Sequence, residues 1–191
     1  KAVHLLVEGL NSRTIDVLRM GDQFYFLNVS AGISPEVMSD TDSEEKQQVG
    51  RLAYLWTGLR KLVSLEAERF EIEVDGRSSQ VRAAEVLILN SGAVGLADAE
   101  WMDRVHLDDG RMEVYALRAR TIWGLLRLAW NRLLGRQDPS IQHWSAESRV
   151  RIQSETNLTV QADGEVIGQT PVEVEMVPAA LNVIVPRQTE S

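Results

Sequence analysis

Apolar and polar residues alternate along several short segments of this chain, which is the pattern of β-strands with one buried and one solvated face. Phe70, Ile72 and Val74 alternate with acidic residues, and the Asp75-Gly76 pair that follows is typical of a tight hairpin turn. A strand at 15–18 is predicted to follow a turn at Gly9, Asn11 and Ser12. Further strands are predicted at residues 3–6, 24–29, 81–89, 112–115, 150–153, 158–162, 166–167, 172–176 and 181–185.

Two segments repeat their apolar residues at helical spacing instead. The first runs from about residue 43 to 66 and begins at Ser43, which is followed by acidic residues, as is usual at a helix start. The second runs from about Arg120 to Gly135 and ends before Asp138-Pro139. Many short strands without a strand-helix-strand rhythm predict a mainly β (α+β) fold. We expect one domain over residues 1–191, an antiparallel β-sandwich with about two inserted helices.

Composition narrows the functional classes. The chain has 191 residues and a net charge of -8, which argues against nucleic-acid binding because that depends on Lys and Arg neutralising phosphates. It contains no cysteine, so disulfides and thiolate chemistry are excluded, and a reducing compartment fits. No basic segment followed by an apolar run opens the sequence, so we expect no signal peptide. These features favour a cytoplasmic location.

The second predicted helix carries a local charge that opposes the acidity of the whole chain. Between Tyr115 and Gln137 there is no Asp or Glu, whereas five arginines occur: Arg118, Arg120, Arg127, Arg132 and Arg136. One interpretation is peripheral contact of the Arg120 to Gly135 helix with anionic lipid head groups. The other is ordinary packing on a sheet, with salt bridges to acidic strands, for instance to Glu173 and Glu175.

Two acidic turns are candidates for chemistry. Asp163-Gly164-Glu165 separates two predicted strands, and Asp108-Asp109-Gly110 precedes another. Taken alone, each is better explained as a solvated turn, because Asp-Gly is a common way to join strands. The three histidines, His4, His106 and His143, show no metal-binding spacing.

The order of short segments along the chain is more informative than any one of them. They are Phe26 to Val29 with Ala31-Gly32, Gly50 to Leu55, Leu87 to Asn90, Leu107 to Val114, Asp163 to Glu165, and Pro178 to Pro186. Together they resemble the carboxy-terminal half of the bacterial diacylglycerol kinase and lipid kinase family, which also includes the sphingosine kinases. The glycine-rich phosphate loop of that family, of the Gly-Gly-Asp-Gly-Thr type, belongs to the amino-terminal half and does not occur in this sequence.

The resemblance implies a two-domain, ATP-dependent lipid kinase. ATP would be bound mainly by an amino-terminal domain that is missing here, and the β-sandwich would close the cleft. Glu165 would be the general base that accepts the proton of a lipid hydroxyl as the phosphoryl group arrives. Asp163 would either orient Glu165 or fix the turn. The isolated chain is therefore expected to be inactive.

The resemblance also implies a structural cation beside the second acidic turn. Asp109 would bind it through its side chain, and His106 and Arg111 through their backbone carbonyls. Such oxygen ligands suit Mg²⁺, which is also expected to accompany ATP.

Alternatives remain open at this point. The chain differs from the family where many members have a glycine run, since it has Gly92 and Gly95 within Asn90 to Ala99. The acceptor lipid, diacylglycerol-like or another, is therefore undecided, as is a homodimer. A different class of function is a non-catalytic β-sandwich that binds a partner protein or a lipid surface.

Overall fold

The computed structural model describes residues 11–32, 67–91, 105–118 and 140–185. These residues form twelve strands. The strands are β1 (Asn11–Met20), β2 (Gln23–Tyr25), β3 (Asn28–Ala31), β4 (Glu68–Val74), β5 (Arg77–Ala83), β6 (Glu85–Leu89), β7 (Met112–Leu117), β8 (Ile141–Ala146), β9 (Arg149–Ser154), β10 (Thr159–Ala162), β11 (Glu165–Gln169) and β12 (Val172–Val185).

The strands form two six-stranded antiparallel sheets, which confirms the predicted β-sandwich. Sheet A has the order β2-β1-β12-β9-β4-β5, and sheet B has the order β11-β10-β3-β6-β7-β8. One hydrophobic core joins side chains from both sheets. Sheet A contributes residues such as Leu18, Phe70 and Ile152, and sheet B contributes Ile88 and Met112, all essentially inaccessible to solvent.

Strands with one wet face were predicted correctly. In β4, Phe70, Ile72 and Val74 are buried and alternate with more exposed residues. The Asp75-Gly76 turn is also confirmed, because Val74 pairs directly with Arg77 and both turn residues have positive φ. Alternation identifies such strands because successive side chains point to opposite faces of a sheet.

Two predicted strands are each divided between the sheets. The segment 24–29 is interrupted at Phe26 and Leu27, so that β2 lies in sheet A and β3 in sheet B. The segment 81–89 changes sheet at Ala84, where β5 ends and β6 begins. Neither crossing contains Gly or Pro, so the sequence prediction of continuous strands was wrong at both places.

Other boundaries also differ from the prediction. Asn11 and Ser12 lie within β1 and are not turn residues, whereas Gly9 is outside the described residues. The predicted strands at 172–176 and 181–185 form one long strand, β12. The sequence prediction missed β8, in which polar residues such as Gln142, His143 and Ser145 hide the strand pattern.

Both predicted helices, at about 43–66 and at Arg120 to Gly135, lie outside the described residues, as does the predicted strand at 3–6. Within the part of the chain that the structure describes, no helix has the length and apolar character needed to cross a bilayer. The described partners of Glu173 and Glu175 are strand residues: Arg149 contacts Glu173 at 3.4 Å, and Arg19 Nε contacts Glu175 at 2.9 Å.

Candidate active site

The Asp163-Gly164-Glu165 segment forms the tight hairpin between β10 and β11. Ala162 pairs with Glu165 across the hairpin, leaving Asp163 and Gly164 as the two turn residues. Their φ angles are 48° and 89°, the left-handed conformation that a two-residue turn of this kind requires and that Asp and Gly tolerate. The predicted turn is confirmed.

The Asp163 carboxylate holds the crossing segment between β2 and β3. It accepts backbone hydrogen bonds from Phe26 (2.7 Å), Leu27 (2.8 Å) and Asn28 (3.1 Å). In return, the backbone N–H of Asp163 donates to the carbonyl of Asn28 at 3.1 Å. Hydrogen bonds to an ionised group are among the stronger ones in proteins, so the turn is fastened to the point where the chain changes sheet.

Glu165 is exposed at the start of β11, immediately after this fastened turn. The side chains around it are unusually apolar for a surface. Phe26 and Leu27 are 41% and 40% exposed, and Val166, which follows Glu165, is 54% exposed. The accessible carboxylate of Glu165 is therefore on a hairpin that is hydrogen-bonded, through Asp163, to a segment with exposed apolar residues.

Asn90, at the end of β6, holds the crossing segment from its other side. Its side chain is fully buried, and Nδ2 donates to the carbonyls of Phe26 and Asp16, both at 2.9 Å. The backbone N–H groups of Asn90 and Ser91 both donate to the carbonyl of Leu27, at 2.9 and 3.2 Å. Asp163 thus binds the N–H groups of the segment, and Asn90 and its neighbour bind its carbonyls.

The second acidic turn is anchored by a buried carboxylate that the sequence analysis did not single out. Asp16 is only 3% exposed and accepts a hydrogen bond from Gly110 N at 2.7 Å, while its own N–H donates to Leu107 O at 2.7 Å. Its other oxygen accepts from Ala179 N at 2.7 Å, where β1 and β12 shift register. Asp16 therefore joins the turn to a bulge in sheet A.

The predicted cation ligands lie together on this turn and separately from the Glu165 hairpin. Asp109 is exposed, and its Oδ1 accepts a hydrogen bond from Arg111 N at 3.0 Å. Asp108 is already paired with Arg13, whose Nε lies 2.8 Å away. The described residues contain no group of three or more His, Cys, Asp or Glu side chains that could hold a metal. The predicted set, the Asp109 carboxylate with the backbone carbonyls of His106 and Arg111, stays a prediction.

A further carboxyl group, Glu85, has an altered acidity. It lies half-buried at the start of β6, where partial removal from water raises the pKa of its side chain to about 7, and a hydrogen bond with the Ser30 side chain acts in the opposite sense. Burial disfavours the charged form of a carboxyl group. Glu85 is on sheet B but belongs to neither predicted site.

Sequence reasoning missed Asp16 and, as a structural residue, Asn90. Asp16 interrupts an apolar run between Ile15 and Val17, and Asn90 ends the run from Leu87 to Leu89. A polar residue within or beside a buried strand must find hydrogen-bond partners, so these positions carried a signal that could have identified them.

The chain matches a known protein family and is similar to two named kinases. Residues 27–185 match the family model described as the YegS C-terminal NAD kinase beta sandwich-like domain. The chain is 28% identical over 191 residues to a diacylglycerol kinase of Bacillus subtilis, covering 98% of this chain and 62% of that protein. It is 26% identical over 187 residues to the "Probable lipid kinase YegS" of Salmonella arizonae, covering 97% and 61%.

The fold has a solved counterpart. A crystal structure of a diacylglycerol kinase from Bacillus anthracis superimposes with a TM-score of 0.66 at 21% identity, covering 90% of this chain and 56% of that one. The chain therefore spans less than two thirds of the length of each of these relatives.

Proposed function

Because this chain belongs to the family of YegS C-terminal NAD kinase β-sandwich-like domains, a lipid kinase family, we propose that it is the substrate-side domain of an ATP-dependent lipid kinase. In this proposal, Glu165 is the general base for a lipid hydroxyl. The observation that carries it is the position of an accessible carboxylate, Glu165, on a hairpin fastened to the exposed apolar residues Phe26 and Leu27.

The chemistry assigned to Glu165 needs only an accessible carboxylate within hydrogen-bond reach of the acceptor. As the phosphoryl group of ATP is transferred to the lipid oxygen, the hydroxyl proton passes to the Glu165 carboxylate. Mg²⁺ bound with ATP would offset the charge on the phosphate oxygens. The contribution of this chain is to hold the base in place, because positioning is the main requirement of phosphoryl transfer.

A lipid is the acceptor that best suits the surroundings of Glu165. Side chains such as Phe26, Leu27 and Val166 are each at least 40% exposed, and they adjoin the base in the chain or through the Asp163 hydrogen bonds. A small polar acceptor would gain nothing from apolar neighbours, whereas the hydrocarbon part of a lipid would be shielded from water by them. The names of the relatives, diacylglycerol kinase and lipid kinase, agree with this substrate class.

The nucleotide is proposed to bind mainly to a domain outside these 191 residues. The chain covers 62% of the Bacillus subtilis kinase, and it contains no glycine-rich phosphate loop. The isolated chain is then expected to fold without transferring phosphate. Phosphorylation of a long-chain lipid by the purified chain above a no-protein control would contradict this part of the proposal.

The test of the base is Glu165→Gln in the intact kinase, assayed by transfer of labelled phosphate from ATP to dioleoylglycerol micelles. We expect a loss of about 10² to 10⁴ in kcat, the range for removing a general base, with an unchanged urea midpoint because the residue is exposed. Glu71→Gln on β4 is the matched control, since Glu71 is also an exposed strand glutamate. Near-normal turnover by Glu165→Gln would overturn the assignment.

A further inference from the structure

The side chain of Asn90 is polar and fully buried, so hydrogen bonds must offset the cost of removing its amide from water. It is 0% exposed, and transferring an unpaired amide from water into a protein interior is costly. Both hydrogen bonds from Nδ2 go to backbone carbonyls on other elements, Asp16 on β1 and Phe26 in the crossing segment. Its Oδ1 has no hydrogen-bond partner among the residues that the structure describes. The contribution of the amide is therefore the two hydrogen bonds that Nδ2 donates.

Backbone hydrogen bonds hold residues 26–28, which are the crossing segment and the first residue of β3. Its N–H groups bind Asp163, and its Phe26 and Leu27 carbonyls bind Asn90 and the following backbone. The side chains of Phe26 and Leu27 are 41% and 40% exposed, and neither belongs to a hydrophobic core cluster of the described residues. Hydrogen bonds, and not core contacts, therefore fix the segment to which Asp163 is attached.

We propose that Asn90 is a positioning residue for Glu165, acting through the crossing segment and Asp163. The path has three links: Asn90 Nδ2 to Phe26 O at 2.9 Å, Phe26 N to Asp163 Oδ2 at 2.7 Å, and the two-residue turn from Asp163 to Glu165. Asn90 touches no substrate in this scheme. The inference rests on the proposed function, since it concerns how the same base, Glu165, is positioned.

The isosteric variant Asn90→Asp tests this path in the intact kinase. An ionised carboxylate cannot donate to the two carbonyls and is repelled by them, so the crossing segment loses its anchor. We expect kcat to fall by about tenfold to a hundredfold, with little change in the KM for ATP, because small misplacements of a reacting group have costs of that size. Asp75→Asn is the control and should leave kcat unchanged. Asp75, in the β4–β5 hairpin, likewise accepts hydrogen bonds from three backbone N–H groups, those of Glu147, Ser148 and Arg149.

The pH profile separates positioning from general damage. Lowering the pH protonates the new carboxyl group in the Asn90→Asp variant, and the O–H can then donate to one carbonyl. Protonation also lowers the cost of burying the carboxylate, so kcat is compared only at temperatures and pH values where circular dichroism shows both proteins fully folded. Under those conditions the ratio of variant to wild-type kcat should rise as pH falls. An unchanged or falling ratio would overturn the proposal.

A double-mutant cycle with Glu165→Gln completes the test. If Asn90 acts through Glu165, Asn90→Asp should cause no further loss of kcat in the Glu165→Gln background. A full additional loss in that background, or wild-type kcat in the single variant, would overturn the positioning role while leaving Glu165 as the base. High activity in Glu165→Gln itself would instead overturn the proposed function. If Asn90→Asp does not fold, Asn90→Ser, which keeps one donor, undergoes the same cycle.

Discussion

Asp75 and Asp163 occupy equivalent positions in two hairpins that belong to different sheets. Each has a left-handed backbone, with φ of 46° and 48°, and each is followed by a left-handed glycine. The carboxylate of each accepts hydrogen bonds from three consecutive backbone N–H groups: Glu147, Ser148 and Arg149 for Asp75, and Phe26, Leu27 and Asn28 for Asp163. Asp75 does this in a hairpin with no predicted chemistry, so these three contacts are what an Asp carboxylate needs to fix such a turn. In the proposed scheme, Glu165 is held through the turn that Asp163 fixes.

The first prediction is that alanine at either aspartate destabilises the fold by a similar amount. Asp163→Ala and Asp75→Ala should each lower the free energy of unfolding by about 2 to 3 kcal/mol, through lost charge-assisted hydrogen bonds and a left-handed alanine. Urea unfolding of the purified chain measures this. In the intact kinase only Asp163→Ala should also lower kcat. A wild-type urea midpoint for Asp163→Ala would contradict the clamp.

Asp75 adds a pH dependence to this comparison. Burial opposes its ionisation, but the N–H groups of Arg149, Glu147 and Ser148 outweigh that effect and lower the pKa of its carboxyl group. A lowered folded-state pKa gives stability that is present above the ordinary pKa of 3.8 and is lost as pH falls through the folded value. The stability difference between wild type and Asp75→Asn should therefore shrink in strong acid.

Glu85 should have the opposite effect on the pH dependence of stability. Its folded-state pKa is raised from 4.5 to about 7, so the folded chain retains a proton that the unfolded chain has released. The contribution of Glu85 is then most favourable below pH 4.5 and declines as pH rises to about 7. Relative to wild type, Glu85→Gln should become more stable across this interval. Parallel stability curves from pH 4 to 8, or a change equal to that of a Glu71→Gln control, would contradict the raised pKa of Glu85.

The predicted cation at Asp109 is tested by ion-dependent stability. Asp16 and Arg13 already hold the turn through Gly110 and Asp108, so a cation at Asp109 would add to an ordered loop. We expect Mg²⁺ or Ca²⁺ to raise the melting temperature of the wild-type chain but not that of Asp109→Ala. Equal responses in both proteins, measured by calorimetry, would exclude Asp109 as a ligand.

The basic segment from Arg120 to Gly135 provides the last prediction, made from the sequence. Its arginines should favour anionic membranes by about 1 kcal/mol each, and this attraction should weaken with salt. We expect co-sedimentation of the chain with vesicles containing phosphatidylserine, but not with phosphatidylcholine vesicles or at high salt. Binding that survives replacement of Arg127, Arg132 and Arg136 by Gln would contradict the interpretation.

The sequence predicted local features well because the physics behind them is local. Alternation marks β4, and the Asp-Gly pairs mark both hairpins, since each pattern needs only neighbouring residues. The break between β2 and β3 could not be predicted in this way. It is stabilised by Asp163, which lies 137 positions from Phe26 along the chain.

The same limit applies to the candidate site. Family resemblance and turn chemistry were sufficient to select Asp163 and Glu165, but not to show what Asp163 binds. In the sequence, Asn90 is only the polar end of a strand. Its burial and its two carbonyl partners in the structure reveal an anchoring role. Long-range hydrogen bonds of this kind leave almost no trace in local composition.

The pairing of β1 with β12 has a consequence for biosynthesis. Asn11 lies opposite Val185, and Arg19 lies opposite Glu175, so β1 and its neighbour β2 can join the rest of sheet A only when β12 is available. During translation, β1 must wait on the ribosome surface for a partner made about 160 residues later, and contacts so distant in sequence form slowly. Sheet B can assemble earlier from β3, β6 and β7. Among the described strands, β1 is therefore expected to expose an unpaired edge for the longest time during synthesis, which makes it a candidate point for chaperone binding or aggregation.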